Sequence, residues 1–454
     1  MAAAAYFRPR WSATPLPGFV LVGVVTTLLG PLLPWLTSRW ALDDRAAGGF
    51  FLAQFLASIA GTVVASRYAR RGFQRTVRTG YVLIAIGLAL LPLGGLGLGL
   101  AAVAVYGLGL GLVIPALNLQ TAERHSEQAG CAAEPRWGPR PSMGAAAALS
   151  WLNFAWGAGA VASPLWVAGM LRLGRPDLGL ALLAALAILA GAVSVADRAA
   201  GGASEDEAPA EPAAQPPKDL RPAIAALTAG VAAAAPTAAP DPACVQTGRA
   251  AQPRWGPRLS IARVSGRPVA LFAVGVFIYV ALETAIGGWA AMLGRGAGWA
   301  ELAAVLLPVA FWGGLLVGRA AAPALLRRAT EIRLAFIGLI VAAVGLAVLA
   351  ASHHAGLWCG MALAGLGLAA QFPLLIAAMG RRVGPRAAAS TLIFAMGGLG
   401  GAAGPWLVGQ MAAAASLRAA LVLPALAVAL LFALWAVLRD PSPGAGPSAA
   451  APRA

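Results

Sequence analysis

Glu283 lies in the run FIYVALETAIGGWAAML, from Phe277 to Leu293, and is the one acidic residue near the middle of any apolar run in the chain. A lone ionised carboxylate in a low dielectric is unstable, so such a group is neutral when sealed in protein and ionises when water reaches it. It can carry a proton, coordinate Na⁺ or accept hydrogen bonds from a polyol. The competing reading is a neutral Glu283 that hydrogen-bonds a neighbouring helix and does nothing else. All 33 basic residues fall in loops, termini or the ends of apolar runs, so the sequence predicts no basic partner at this depth. Tyr279 is one helical turn earlier, on the same face. Gly287 and Gly288 follow, where a helix could bend, and Trp289 offers an aromatic surface of the kind sugars stack on.

Other polar side chains enter apolar runs: Gln54, Asn118, Asn153, Gln371 and, with its indole N–H, Trp156. Each amide serves equally well as helix–helix glue or as a substrate contact. Together with Tyr279 and Trp289 they suit a neutral, hydroxyl-rich solute. The GLGLG runs lack the Lys and Ser/Thr of a phosphate loop and read as helix-packing surfaces. An intramembrane enzyme would need clustered Asp, Glu, His or Cys. His125 falls in a loop and His353 and His354 at a turn, so neither enzyme chemistry, nor a cofactor, nor a metal is expected.

These residues are held by a chain of 454 residues that is 59% hydrophobic and 11% charged, with a mean hydropathy of +0.77. Its charge-poor stretches are near the roughly 20 residues that a helix needs to cross a bilayer. Twelve such runs are legible: Gly18 to Leu36, Ala46 to Ser66, Gly80 to Leu96, Gly99 to Leu119, Gly144 to Leu171, Leu178 to Ala196, Pro268 to Leu293, Leu302 to Val317, Leu334 to Ala351, Gly356 to Met379, Ala387 to Met411 and Ala419 to Leu438. Helix is expected for each, because lipid offers no partner to unpaired backbone groups. Of the Lys and Arg residues, 27 fall in one set of alternate loops and 6 in the other. That bias predicts both termini and the long central segment in the cytoplasm. The net charge of +16 is therefore a topology signal, and nucleic acid is not an expected partner. Arginine outnumbers lysine 32 to 1, the codon bias of a GC-rich bacterium, so the expected location is a bacterial inner membrane. The three cysteines suggest no disulfide framework.

The chain divides into a six-helix bundle over 1–196, a Pro- and Ala-rich cytoplasmic linker over 197–267, a second bundle over 268–438 and a tail over 439–454. The linker cannot assemble a core. It carries QPRWGPRLS, which nearly repeats EPRWGPRPS from the loop after the fourth run; Trp137 and Trp255 are expected at the headgroups. Three deeper repeats relate the halves. GLGLGLVIP (Gly107 to Pro115) matches GLGLAAQFP (Gly365 to Pro373), and FAWGAGAVASPL (Phe154 to Leu165) matches FAMGGLGGAAGPW (Phe394 to Trp406). Gly61, Arg67 and Arg75 match Gly313, Arg319 and Arg327. In each case the partner is six helices later, a design of secondary transporters.

With these repeats and a cytoplasmic central loop, the chain resembles the major facilitator superfamily. GTVVASRYARRGFQR (Gly61 to Arg75) is similar to that family's loop signature but lacks its acidic residue; GGLLVGR (Gly313 to Arg319) is a shorter second copy. The resemblance implies a gating role for Gly61, Arg67, Arg71, Arg75, Gly313 and Arg319, the glycines letting helices approach and the arginines holding the cytoplasmic gate. FIYVALETAIGGWAAML, FWGGLLVGRAAAPALL, GLGLGLVIPALNL and SWLNFAWGAGAVASPL resemble the fucose-permease-like branch. That branch carries acids in its first and fourth helices, where this chain has Thr26, Thr27 and Asn118. The expectation is an all-α integral membrane protein of twelve helices. It would act as a monomer, moving a sugar-like solute by alternating access, either driven by H⁺ or Na⁺ through Glu283 or as a facilitator. The alternative is a drug or metabolite exporter of the same superfamily.

Overall fold

The computed structural model describes residues 15–68, 73–131, 145–199, 267–383 and 387–438. Arg71, the RWGPR motifs, most of the linker and the tail lie outside these residues. The first half contains α1 (Pro15–Thr27), α2 (Leu29–Trp40), α3 (Asp44–Tyr68), α4 (Phe73–Leu90), α5 (Leu96–Cys131), α6 (Ala145–Arg172) and α7 (Pro176–Ala199). The second contains α8 (Arg267–Gly296), α9 (Glu301–Leu306), α10 (Pro308–Leu326), α11 (Glu331–Ala351), α12 (Ala355–Leu368), α13 (Gln371–Val383), α14 (Ala387–Ala414) and α15 (Val422–Val437).

Each of the twelve apolar runs falls on a helix or a broken helix pair. Among the described residues ten helices are long and apolar enough to span a membrane, and the bent pair α1–α2 makes an eleventh. The 28-residue α14 occupies the place of the remaining run. One boundary shifts. The split expected between Leu96 and Gly99 falls earlier, at Gly94 and Gly95, after a short 3₁₀ turn over Leu91–Leu93. Pro92 has no N–H to continue the helix there.

Proline also accounts for the breaks inside traverses. Pro31 cannot donate to the carbonyl of Thr27, and α1 meets α2 at Leu28 with a 43° bend. Pro308 follows the break at Leu307, and Pro373 lies just beyond the break at Ala369 and Ala370.

One packed cluster runs from Phe19 to Ala187 and recruits Trp289, Met292 and Val408 from the second half. The other runs from Val269 to Leu438 and recruits Ala160 from the first. Each half thus has its own core, and the two share an interface. The sequence repeats mark helix crossings. A Cβ on Gly61 of α3 would press into the backbone of Leu108 and Gly111 on α5, and one on Gly365 of α12 into that of Phe311 on α10. Gly400 and Gly404 of α14 stand likewise against Phe277 and Ala281 of α8. Small residues allow this because close backbone approach, not the hydrophobic effect, holds helices together in lipid. Gly313 departs from the repeat. Nothing lies within 4 Å of where its Cβ would be, and the neighbouring Gly314 makes the contact with α12. Gly404→Leu is therefore expected to destabilise the protein by about 2 kcal/mol or more, whereas Gly313→Ala leaves it unchanged. Melting temperatures in detergent check the contrast.

Candidate transport site between the halves

Tyr279 and Glu283 share one face of α8. Arg319 reaches them from α10: its Nη2 donates to Glu283 Oε1 at 3.1 Å and to the Tyr279 hydroxyl at 3.3 Å. This corrects the expectation that Glu283 has no basic partner, and it moves Arg319 out of the gating loop into the bundle. The apolar run ends at Val317 only because Arg319 interrupts it. Helix α10 itself continues for two further turns to Leu326, and a long arginine stem carries the guanidinium back toward mid-helix. Unit charges about 4 Å apart attract by about 4 kcal/mol at an effective dielectric near 20. That attraction offsets the cost of taking both out of water. The pair neutralises itself.

A residue of the other half completes the group. Trp156 on α6 places its ring 6.0 Å from the Arg319 guanidinium carbon and 5.8 Å, edge-on, from the ring of Trp312. Trp312, Leu316 and Arg319 share one face of α10 at spacings of four and seven, and Leu316 packs on Gly157. The Glu283–Arg319–Tyr279 cluster therefore lies at the seam between the halves. Side-chain exposure is 10% for Glu283 and 26% for Arg319, so the pair is not fully sealed. One turn along α6, on the face that sets Trp156, Gly157 and Ala160 against the second half, Asn153 is exposed.

The remaining candidates lie elsewhere. Gln54 donates to the Thr26 carbonyl at 2.9 Å and accepts from the Tyr106 hydroxyl at 3.3 Å, tying three helices of the first half. Gln371 does the same in the second, donating to Ala335 O at 2.8 Å and accepting from Trp435 Nε1 at 3.0 Å. Asn118 donates back to Ile114 O on its own helix. Trp289 is buried, its N–H on the Pro405 carbonyl at 2.9 Å and its ring beside Phe51. It packs at the interface, while Trp156 and Trp312 meet edge-on beside Arg319. Gly287 and Gly288 do not unwind α8. They admit the Trp312 ring and Phe51 at close range. Arg75 is exposed on α4, and nothing is described of the Arg67 side chain. Sequence reasoning missed Trp312, although its spacing of seven from Arg319 was there to read. A groove of about 520 Å³ between α11 and α15 is lined only by apolar groups such as Leu339 and Phe432 and offers nothing to a polar solute.

A second contact joins the halves where α2 and α8 end. Arg295 Nη1 donates to Pro34 O at 2.8 Å, Thr37 Oγ1 at 2.8 Å and Ser38 Oγ at 3.1 Å. The three acceptors lie within about one turn of α2, so a single guanidinium reaches them all. Charge-assisted bonds of this kind are worth about 1.5–3 kcal/mol each, so the loss of even one shifts an opening equilibrium about tenfold. In a Cys131→Ser, Cys244→Ser, Cys359→Ser background, a cysteine replacing the buried Met292 is expected to react with maleimide about tenfold faster once Arg295→Ala is added.

Two helical bundles thus meet at a polar, partly accessible cluster. The chain belongs to the major facilitator superfamily: the sequence profile of the Major Facilitator Superfamily matches residues 16–391. Its fold is similar to that of a crystal structure of the nucleoside transporter NupG, solved as a point mutant, with a TM-score of 0.65 over 94% of this chain and 98% of that one, at 10% identity. No curated protein matches the sequence. Family and fold together place the chain among multi-pass transporters of small molecules, not among enzymes.

Proposed function

We propose that the chain is a secondary transporter of a small, sugar-like solute, working by alternating access and coupled to protons through Glu283. The observation that carries this reading is the Glu283–Arg319–Tyr279 cluster on one half facing Trp156 on the other. A solute held by both halves links their relative movement to its own passage. Carboxylate, guanidinium and phenol present donors and acceptors to hydroxyl groups, and Trp156 gives a ring face to stack on. The proton is favoured over Na⁺ because a guanidinium 3.1 Å from the cluster's one carboxylate repels a metal cation.

The resemblance to the fucose-permease-like branch supports a sugar-sized solute. The charge bias supports a bacterial inner membrane with both termini in the cytoplasm. In that orientation the Arg295 contact joins the halves on the outer side. A monomer suffices, since both halves of the site come from one chain.

The reading is tested with purified protein in liposomes, by uptake of radiolabelled monosaccharides under an imposed proton gradient. Gradient-dependent sugar uptake that falls at least tenfold in Trp156→Ala is expected. Export of hydrophobic cations with no transport of any sugar would instead establish the drug exporter.

A further inference from the structure

Resting on that reading, we propose that the solute carries a carboxylate, which Arg319 binds while Glu283 takes up one proton. The cluster has more open donors than open acceptors. Both protein hydrogen bonds of Arg319 leave from Nη2, and among the described residues its Nη1 and Nε have no partner. The buried indole N–H of Trp312 also has none, although the residue is only 5% exposed. Both border the same ring, that of Trp156. The indole is held in place because its Cε2, the atom bonded to Nε1, packs where a Cβ on Gly287 would stand, one turn beyond Glu283. An unpaired indole N–H and a partly exposed guanidinium that border one ring call for a group rich in acceptors. The Nε and Nη1 edge of arginine is a two-point match for the two oxygens of a carboxylate, whereas a hydroxyl satisfies one donor at a time.

Charge fixes the stoichiometry. The empty cluster is neutral, one carboxylate against one guanidinium. A bound carboxylate makes it negative in a site poor in water, and one proton restores neutrality. The proton passes from water to a Glu283 carboxyl oxygen, which releases Arg319, and Arg319 pairs with the solute instead. Tyr279 keeps its hydroxyl beside both. The helices packed on α8 present no other titratable or charged group here among the described residues. Arg39, Glu301, Cys359, Arg381 and Arg382 stand near helix ends, and α14 and α15 carry none. The solute is thus a polyhydroxy monocarboxylate of single-sugar size, moved with one proton and no net charge.

The full-length protein in detergent is offered gluconate, glucuronate, glucose or sorbitol. Binding is read by thermal shift, and proton uptake by an indicator dye in weak buffer. At least one acid is expected to bind at least tenfold more tightly than glucose and to draw in one proton per site. Arg319→Lys, which keeps the charge but loses the fork, is expected to weaken that binding at least tenfold. Trp312→Phe, which removes the N–H together with part of the indole ring, is expected to weaken it several-fold while glucose binding is unchanged. Glu283→Gln should still bind the acid and take up no proton. Binding of glucose or sorbitol without either acid overturns the proposal and leaves the transporter reading standing, as does acid binding with no proton taken up. Silence of all four solutes, in binding and in liposome uptake alike, removes both.

Discussion

Arg319→Met is expected to abolish solute uptake, by at least about 100-fold, and to lower the stability of the protein in detergent by about 3 kcal/mol. Methionine keeps the length and the packing of the stem, so what is lost is charge and hydrogen bonding. Glu283 is then left without its counter-charge, 10% exposed, on a helix that is otherwise apolar around it. Breaking a buried pair from one side costs more than removing it whole. The double variant Arg319→Met, Glu283→Gln should therefore regain much of the lost stability without regaining transport. Thermal melts of the two single variants and the double give the coupling directly. Additive losses would show that the pair contributes nothing as a pair.

Glu283→Gln is expected to reduce uphill accumulation to a ratio of about one when no membrane potential is applied, the equilibrium value for a carrier uncoupled from its ion. The amide imitates only the protonated carboxyl, so the cluster keeps one state of the cycle and loses the other. Counterflow exchange, which needs no net proton movement, should persist. Uphill uptake at the wild-type level would remove Glu283 from coupling. Loss of exchange as well would show that the carboxylate holds the solute and does not merely carry the proton.

Glu283 and Tyr279 were legible because cost and spacing speak in sequence. A carboxylate inside a hydrocarbon run demands a reason, and residues four apart on a helix share a face. Arg319 was visible too but assigned to the wrong place. Hydropathy ends an apolar run at the first charge, whereas a helix ends where its backbone bonding does, two turns later at Leu326. The amides Gln54 and Gln371 occupy similar places in sequence to the site residues. Only their partners, Thr26, Tyr106, Ala335 and Trp435, show them to be ties within each half. Trp289 and Trp156 were equal candidates for the aromatic surface until the fold turned one into interface packing and set the other beside Arg319.

What the sequence determined by itself is the membrane class, the helical runs, the six-plus-six repeat and the expense of Glu283. Each follows from terms local to the chain: transfer energy per residue, backbone bonds that lipid cannot replace, and glycine spacing at crossings. The tertiary structure decided which charge answers Glu283 and which aromatic faces it across the seam. Arg319 is 36 residues from Glu283 in the chain. Whether a guanidinium at that distance reaches a carboxylate depends on how deeply α10 runs beside α8, which no local pattern encodes. The carboxylate that looked alone in its hydrocarbon run belongs to a pair.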